Sequence, residues 1–382
     1  MTERTGSVEV EIAPIEELID EARNGRMFVL MDDDDRENEG DLVIPAQMAT
    51  PNAINFMVTH GRGLVCLALS RARADQLNLP MMSAKNETRH ETAFTVSIEA
   101  RHGVTTGISA ADRARTIAVA IDAGKGPECL VSPGHMFPLV ARDGGVLVRS
   151  GHTEGAVDIA RLAGLNPSGV ICEILKPDGS MARLRDIAPF AAQFGLKIGT
   201  IRDLITYRLR WDHLVECVAS SSFSSAFGGA FVAKVYRNVL DGVESLVLMK
   251  GEVRPGAPTL VRMHGVSPFH DMLGQPGARN GLLQRSMSAL AEKGAGIIVL
   301  LRTDDRHTLS QGVLLGEQAP EFDGRLIGIG AQILADLGVS DIVLLSNSDH
   351  QLVALDGYGL KVVGRQPIPD QVEGLGLNCY DA

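Results

Sequence analysis

The sequence predicts an α/β or α+β protein, organised as two domains. Patterns typical of strands and of amphipathic helices are interspersed through both halves of the chain, as they are in these two fold classes. The chain has 382 residues, and at roughly 100–200 residues per domain this length suits two domains. Hydrophobic residues make up 45% of the chain, which is enough to form two separate cores.

In the first half, the apolar spacing predicts helices and buried strands. Residues 15–24 have apolar positions at helical spacing and are predicted to form an amphipathic helix. Residues 63–69 form a short apolar run, which predicts a buried strand. Residues 109–123 are predicted to be a helix, because Ser109 can cap its first turn. Residues 145–149 are predicted to be a strand, and residues 153–163 the helix that follows it.

The chain changes character in its middle. Residues 219–229 are small and polar, as linkers and exposed loops are. We therefore place the domain boundary just before this segment, near Trp211, which gives domains of residues 1–210 and 211–382. The second domain is predicted to contain strands at residues 246–249, 259–263, 297–302, 341–345 and 360–363, and helices at residues 282–293 and 331–337.

Charge and composition exclude several classes of partner. The formal net charge is −11, so the chain repels nucleic acid and anionic membranes, and neither is expected as a partner. No apolar run approaches the roughly 20 residues of a membrane helix, and the N-terminus lacks the apolar region of a secretory signal. The five cysteines are scattered and include no CxxC pair, which suits free thiols in a reducing cytosol. We therefore expect a cytoplasmic protein.

The acidic stretch of residues 32–41 has seven carboxylates in ten residues. Such runs are most often solvated loops, and that interpretation stays open for part of this one. However, the run lies between two apolar strand-like segments, and Glu37, Glu39 and Asp41 share one side if the segment is extended. Arg36 interrupts the run and can hold an anionic group. Hard oxygen donors of this kind suit magnesium.

A second cluster precedes the helix predicted at residues 153–163. Arg149, Ser150, Gly151, His152 and Thr153 combine an arginine, hydroxyls and the backbone N–H groups of a helix N-terminus. These groups together are suited to bind phosphate. His152 can coordinate a metal ion beside that phosphate, and the alternative is a surface histidine in a helix cap.

Two further residues are candidates for proton transfer. His135 lies in the segment of residues 133–138 and can act as an acid or a base, although a lone histidine is more often structural. Glu173 lies in the apolar segment of residues 170–175. Because a carboxylate there is costly unless it is paired or functional, we favour a functional role.

Together these segments resemble 3,4-dihydroxy-2-butanone 4-phosphate synthase, an enzyme family of riboflavin biosynthesis. The matching segments run in the family's order across nearly all of residues 12–209. They are residues 34–42, 92–96, 105–113, 133–139, 144–154 and 169–174. Ser150 is a departure, since alanine is usual there.

The resemblance implies conversion of ribulose 5-phosphate to 3,4-dihydroxy-2-butanone 4-phosphate and formate. It implies a homodimer with the site at the subunit interface, and a mixed, twisted sheet flanked by helices. It also implies two magnesium ions, bound here by Glu37 and His152, with manganese as the other possible metal. His135 and Glu173 take the catalytic roles. The implied substrate contacts are Arg36, Glu37, Asp41, Arg149, Ser150, Gly151, His152, Thr153 and Glu173.

The second half resembles GTP cyclohydrolase II, which in many bacteria is fused to the synthase. The matching segments are residues 261–264, 297–302, 328–339 and 356–360. The family binds zinc through three cysteines that follow the histidine matched by His264, and this segment has no cysteine. Zinc is therefore not expected.

Three interpretations of the second domain remain open. It is a degenerate domain that supports stability or association, or a binding or regulatory module. Alternatively, the chain is bifunctional and retains cyclohydrolase activity through a different metal site, such as one formed by His264, His270 and Asp271.

Overall fold

A computed structural model describes residues 11–33, 36–83, 85–86, 92–254, 256–277, 279–302, 313, 324–347 and 359–369. The chain divides into two units, Met1–Arg208 and Leu209–Ala382. The predicted match at residues 356–360 lies largely outside the described residues, as do Asp34 and Asp35 of the acidic stretch. Within the described part of the chain, no helix combines the length and apolar character needed to cross a membrane.

The first unit is built on one seven-stranded mixed sheet. Its strands are β1 (Phe28–Met31), β2 (Gly40–Pro45), β3 (Cys66–Leu69), β4 (Ile98–Ala100), β5 (Leu130–Val140), β6 (Ser168–Glu173) and β7 (Ile198–Thr200). They lie in the order β4-β5-β3-β6-β2-β1-β7. The β3–β5 and β1–β7 pairs are parallel, and the other neighbours are antiparallel.

Helices cover both faces of this sheet. They are α1 (Ile15–Arg23), α2 (Pro51–Phe56), α3 (Arg71–Gln76), α4 (Ala110–Ile121), α5 (His152–Leu162), α6 (Leu184–Phe194) and α7 (Ile201–Trp211). Side chains alternate along each strand, so Leu30 and Val43 pack with α1, α5 and α7 while Val29 and Leu42 pack with α2, α4 and α6. The predicted class, a mixed sheet flanked by helices, is confirmed.

The local predictions have different outcomes. Helices α1 and α4 are confirmed, and the Ser109 hydroxyl accepts a hydrogen bond from the Asp112 N–H at 3.1 Å, as a cap does. The strand predicted at residues 145–149 is wrong, because the chain forms a short 3₁₀ turn at Gly145–Leu147. Gly144 and Gly145 have φ angles of 91° and 62°, which turn the chain away from extended geometry.

The second unit contains another seven-stranded mixed sheet. Its strands are β8 (Val215–Ser225), β9 (Gly229–Asn238), β10 (Glu244–Lys250), β11 (Thr259–Gly265), β12 (Gly296–Leu301), β13 (Asp341–Leu345) and β14 (Lys361–Gln366). They lie in the order β14-β13-β11-β12-β10-β9-β8. Its helices include α8 (Leu282–Lys293) and α9 (Gly324–Asp336). The core forms where α8 packs on β11 and β12.

The linker predicted at residues 219–229 is wrong. Most of this segment belongs to β8, which pairs along its length with β9. Strand β8 is at the edge of the sheet and is mostly exposed, so small polar side chains are compatible with it. Only the turn between β8 and β9 is a loop.

Candidate active site

Three potential metal ligands meet where the acidic loop leaves β1. One ligand atom each from Asp32, Glu37 and His152 lies within 4.8 Å of the other two. Asp32 and His152 are buried, and Glu37 is partly buried. Among the described residues, one group of three or more His, Cys, Asp or Glu side chains is positioned to bind a metal ion, and it is this one. The fold therefore brings the donors together in advance of any ion.

Backbone contacts hold the acidic loop in this shape. The Glu39 N–H donates to Asp32 Oδ1 at 2.8 Å, which closes the loop between β1 and β2. Asn38 has a φ of 55°, a left-handed conformation that asparagine tolerates better than most residues. Arg183, which precedes α6, donates from Nη1 to the Glu37 carbonyl at 2.5 Å and also to the Asn38 carbonyl. The loop is thus positioned by the sheet and by a distant arginine.

Arg36 lies against the carboxylates of this loop. Its Nη1 is 2.6 Å from Asp32 Oδ2 and 2.7 Å from Glu37 Oε2. These charge-assisted contacts hold two acidic side chains close together despite their repulsion. Because Arg36 is only 14% exposed, its guanidinium faces the site and not bulk solvent.

His152 is the first residue of α5, and its side chain is buried beside β1 and β2. Its Nε2 lies 3.1 Å from the Leu30 carbonyl oxygen, which fits a protonated Nε2 and leaves Nδ1 with a lone pair. Nδ1 lies 3.9 Å from Asp41 Oδ1. Burial lowers the pKa of His152, so this imidazole is neutral at pH 7. The neutral form is the one that coordinates metal ions.

Asp41 and Glu173 are direct partners on the antiparallel strands β2 and β6. Opposite residues on such strands point to the same side, so two carboxylates share one position of the sheet. Burial, followed by the charge of Glu173, raises the pKa of Asp41 well above its ordinary value. Asp41 Oδ1 is buried and has no hydrogen-bond partner. A carboxylate oxygen in this situation needs a proton or a cation.

His135 lies on β5, on the other side of β3 from Glu173. Cys66 on β3 lies between Phe137 on β5 and Ile171 on β6, so His135 and Glu173 each lie two residues from this row on the strands that flank β3. The Leu64 N–H in turn donates to Glu173 Oε2 at 2.8 Å. Since neighbouring strands are about 4.8 Å apart, β5 and β6 lie roughly 10 Å apart on either side of β3, which leaves room for a small substrate between His135 and Glu173.

Glu99 on β4 orients His135. Its Oε2 lies 2.7 Å from His135 Nδ1, so the second ring nitrogen, Nε2, is available for proton exchange. The His135 side chain is 46% exposed, whereas that of Glu99 is 17% exposed. This arrangement of a carboxylate behind an imidazole is typical of histidines that transfer protons.

The predicted phosphate cluster lies at the N-terminus of α5. Arg149 Nη1 is 2.6 Å from Glu154 Oε2, and Arg149 Nη2 donates to Thr92 Oγ1 at 3.1 Å. Gly151 is the N-cap of the helix, and a Cβ at this position would lie 2.2 Å from Arg149 Nη1. Ser150 is partly buried and Thr153 is buried at the same helix end. Arginine and helix N-terminus therefore meet where an anion is favoured.

The structure thus assembles the predicted residues at one end of the sheet and adds four that sequence reasoning missed. The missed residues are Asp32, Glu99, Glu154 and Arg183. Asp32 was interpreted only as part of an acidic loop, although its position directly after a buried strand was an available signal. The other three make long-range contacts, or act through a neighbour, and no local pattern marks them.

The described residues of the second unit do not provide a zinc site. His264 Nε2 lies 3.0 Å from both carboxylate oxygens of Asp271, whereas His270 Nδ1 faces the Gln275 carbonyl oxygen at 3.2 Å. These three residues do not form a three-donor group in the described part of the chain. Cys217, the described cysteine of this unit, is exposed on β8. The residues present therefore do not fit the thiolate-bound zinc of the cyclohydrolase family.

Fold and site together define an α/β protein with an oxygen-rich cation site beside an anion-binding helix N-terminus. Comparison with known families gives a more specific answer. The family model described as 3,4-dihydroxy-2-butanone 4-phosphate synthase matches residues 16–207, and that described as GTP cyclohydrolase II matches residues 216–367. The chain belongs to the 3,4-dihydroxy-2-butanone 4-phosphate synthase family of riboflavin biosynthesis, and it is an enzyme of the lyase class. The resemblance predicted from the sequence is confirmed.

Relatives match over both units. The 3,4-dihydroxy-2-butanone 4-phosphate synthase of Pseudomonas aeruginosa is 46% identical over 366 residues, covering 92% of this chain and 98% of the relative. The riboflavin biosynthesis protein RibBA of Aquifex aeolicus is 45% identical over 381 residues, covering 94% and 93%. Two-unit relatives therefore include proteins named for the synthase alone and proteins named RibBA.

Solved structures agree with this assignment. RibBX, a two-domain 3,4-dihydroxy-2-butanone 4-phosphate synthase from A. baumannii, has a TM-score of 0.76 at 44% identity and covers 94% of this chain and all of its own. A second synthase, solved in complex with two magnesium ions, has a TM-score of 0.51 at 39% identity. It covers 53% of this chain and 99% of its own.

Proposed function

We propose that residues 1–210 convert ribulose 5-phosphate to 3,4-dihydroxy-2-butanone 4-phosphate and formate. The observation that carries this proposal is the donor set of Asp32, Glu37 and His152 beside the unpartnered oxygen of Asp41. The domain limits are supported by the division after Arg208 and by the family match to residues 16–207.

The donor set fits a hard divalent cation. Glu37 and His152 would hold the ion, with Asp32 close enough to join them. Two magnesium ions per site are proposed, in line with the relative solved with two, and manganese suits the same oxygen and imidazole donors. Bound magnesium polarises substrate oxygens and stabilises negative charge that develops on them. Asp41, whose Oδ1 has no hydrogen-bond donor, adds the negative charge that such ions require.

The substrate's phosphate is assigned to the N-terminus of α5. Arg149 is held in place by Glu154, so its guanidinium is already ordered when substrate arrives. The backbone around Gly151 approaches closely because that position has no side chain. Ser150 and Thr153 supply hydroxyls, and Arg36 contacts the sugar end beside the carboxylates. Ordering these groups in advance lowers the entropic cost of placing the substrate.

Glu173 and His135 are assigned the proton transfers. The reaction begins with loss of a proton beside the carbonyl, and the later loss of water, carbon shift and release of formate each move further protons. Glu173 lies beside Asp41, and its carboxylate accepts a hydrogen bond from the Leu64 N–H, which fixes its position at the site. His135 is oriented by Glu99 and is exposed enough to exchange protons through Nε2. The two residues can thus act on opposite parts of a small substrate.

The assembly proposed is a cytoplasmic homodimer with the site at the subunit interface. Leu64, Ile108 and Val148 are 43%, 55% and 46% exposed. Leu64 donates its N–H to Glu173, Val148 precedes Arg149, and Ile108 follows Gly107, which lies against His135. Exposed apolar side chains grouped around a site are typical of an interface. Cys66, Cys129, Cys172 and Cys217 are free thiols, which suits a reducing compartment. Sedimentation of Ile108→Glu as a monomer, against a wild-type dimer, tests the interface.

The reaction has a direct test in formate release. Purified full-length protein with magnesium and ribulose 5-phosphate should release formate, and Glu37→Ala or His152→Ala should abolish that release. Glu16→Ala, on the exposed side of α1, is the matched control and should retain activity. Full activity in Glu37→Ala or His152→Ala would contradict the metal assignment.

We propose that the second unit has no cyclohydrolase activity, because its described residues do not fit zinc. The RibBA relative favours the alternative, a bifunctional enzyme with residual activity. Incubation with GTP and zinc separates the two, since pyrophosphate should appear only in the bifunctional case.

Truncation after residue 210 tests whether the second unit supports the first. If the truncated protein is as soluble as the full chain, forms the same dimer and releases formate at the same rate, the second unit does not support the structure of the first.

A further inference from the structure

The segment of residues 105–109, called the glycine loop below, lies against the pair formed by Glu99 and His135. Gly107 is buried, whereas the other four residues of this loop are exposed. Its φ of 85° is in the left-handed region that favours glycine. A Cβ at Gly107 would lie 1.8 Å from Glu99 Oε2 and 2.5 Å from His135 Nδ1. The backbone of Gly107 therefore packs directly on the hydrogen bond between these two side chains.

Asp112, in the first turn of α4, accepts three hydrogen bonds from the glycine loop. Its Oδ2 accepts the Thr105 hydroxyl at 2.7 Å and the Gly107 N–H at 3.0 Å, and its Oδ1 accepts the Thr105 N–H at 3.0 Å. The hydrogen bond from the Thr105 hydroxyl holds the pKa of Asp112 below its ordinary value, so the carboxylate is ionised at neutral pH. One buried carboxylate thus fixes the shape of the loop.

Asp112 is itself tied to β4, the strand that carries Glu99. The Thr116 hydroxyl donates to the Asp112 carbonyl oxygen at 3.0 Å and accepts the Ala100 N–H at 3.0 Å. Ala100 directly follows Glu99 in β4. These contacts close a ring that runs from β4 through α4 and the glycine loop back to the Glu99 side chain. The fold therefore sets the distance between Gly107 and Glu99.

The backbone of His135 is fixed by other contacts. The Gly134 N–H donates to Ser97 Oγ at 3.1 Å, and a Cβ at Gly134 would lie 2.1 Å from the Ile98 carbonyl carbon. The imidazole ring is held differently, through the 2.7 Å contact of Nδ1 with Glu99, and the side chain is 46% exposed. An imidazole keeps one tautomer only where a partner selects it. The glycine loop therefore acts on the ring by way of Glu99.

We infer that Asp112 is a positioning residue for the proton transfer at His135. It holds the Gly107 backbone on Glu99, and this contact keeps the Glu99 carboxylate on His135 Nδ1. The neutral ring then carries its proton on Nδ1 and its lone pair on Nε2. The inference rests on the function proposed above for His135. Asp112 acts on the rate through the loop and the ring, and not by contact with the substrate.

Nuclear magnetic resonance of the full chain with isotope-labelled histidine tests this geometry without requiring activity. Correlations between ring nitrogens and carbon-bound ring protons show which nitrogen carries the proton, and loss of the signal in His135→Asn assigns it. In alkaline buffer the wild type should have the Nδ1–H tautomer. Gly107→Ala and Asp112→Asn should shift the ring towards the Nε2–H form that free histidine prefers. Asp122→Asn is the matched control, because Asp122 accepts the Gly124 N–H at the other end of α4, and it should leave the tautomer unchanged.

Steady-state kinetics of formate release provide the second arm. Asp112→Asn should lower kcat by about tenfold or more with a smaller change in KM, because the ring and not substrate binding is affected. In a Glu99→Gln background the same substitution should lower kcat by less than about threefold, since both residues act on one hydrogen bond. Asp122→Asn should retain the kcat and KM of the wild type.

Three results would overturn the inference. They are an unchanged His135 tautomer in Gly107→Ala and Asp112→Asn, full additivity of Asp112→Asn with Glu99→Gln, and a rise in KM at constant kcat. A wild-type protein that releases no formate would contradict the proposed reaction, and the tautomer alone would then decide whether Asp112 orients His135. If Gly107→Ala does not fold, Thr105→Val, which removes the hydroxyl donor to Asp112, carries the same comparison.

Discussion

Asp41 and Glu173 face each other across the antiparallel pair β2–β6, so the sheet places two carboxylates side by side at the site. Burial raises the pKa of Asp41, and the charge of Glu173 raises it further. The protein keeps this unfavourable arrangement although an amide at either position would relieve it. A bound cation provides the compensation that explains it.

Replacing Asp41 by asparagine should therefore separate stability from activity. Asp41→Asn removes a buried charge, so the midpoint of thermal unfolding in EDTA should rise by at least about 2 °C. Formate release should fall by about 100-fold or more, because substrate and metal lose a negative partner. Asp75→Asn, on the exposed side of α3, is the control for both measurements. A less stable Asp41→Asn protein in EDTA would contradict the like-charge argument.

Glu99 is predicted to act through His135. Glu99→Gln keeps the shape of the side chain but removes the charge that orients the imidazole at 2.7 Å. The kcat for formate release should fall by about 10–100-fold with little change in KM, because proton transfer and not substrate binding is affected. Steady-state kinetics measure this split, with Glu16→Gln as control. A rise in KM at constant kcat would assign Glu99 to binding instead.

Glu154 should show the opposite kinetic pattern. It is 1% exposed, and it holds Arg149 with one oxygen and the Arg142 N–H with the other. In Glu154→Gln the arginine is less well ordered, so KM for ribulose 5-phosphate should rise by about tenfold. The kcat should change less than KM. An unchanged KM would remove the support for Arg149 as the phosphate ligand.

The buried pair of Asp158 and Arg208 is predicted to matter for stability alone. Arg208 Nη1 lies 2.8 Å from Asp158 Oδ2, and each side chain is 5% exposed. Asp158→Ala leaves the guanidinium buried without this carboxylate and should cost about 3–5 kcal/mol in urea denaturation. Glu17→Ala, which breaks the exposed pair with Lys197, should cost less than about 1 kcal/mol. Equal costs for the two variants would contradict the assigned burial.

The cysteines should differ sharply in reactivity. Burial, followed by the charges of Glu173 and Asp41, raises the pKa of Cys172 to about 12, so only roughly one molecule in 10⁴ carries the thiolate at pH 8. Iodoacetamide should therefore modify exposed Cys217 in the native protein long before Cys172, and labelling of Cys172 should accelerate as pH rises toward 12. Peptide mapping by mass spectrometry measures both rates. Equal labelling at pH 8 would contradict the burial of Cys172.

The sequence predicts those parts of the molecule that depend on local pattern. Helix α4 follows from a cap and an apolar spacing, both of which operate within a few residues. Glu37 and His152 could be proposed as ligands because their segments resemble those of the synthase family. The strand predicted at residues 145–149 failed because two glycines with positive φ redirect an otherwise apolar run.

Long-range contacts were beyond sequence reasoning. Glu99 reaches His135 only because β4 pairs with β5, and the two residues are 36 positions apart. Asp32 has the same residue type as its acidic neighbours, and only its position directly after β1 distinguishes it from them. The serine-rich strand β8 failed for a related reason. Its pairing with β9 supplies hydrogen bonds that its own side chains do not predict.

The hydrogen bonds from Arg183 to the acidic loop make the metal site depend on the fold of the whole unit. Its guanidinium joins carbonyls of the acidic loop from 146 positions further along the chain. A short peptide with the sequence of residues 32–41 would lack this contact and would not reproduce the ligand set. Closing so long a loop costs entropy that only the packed sheet and α6 can offset. The ligand set therefore depends on the folded sheet and α6, and an ion would stabilise the whole unit and not its binding loop alone.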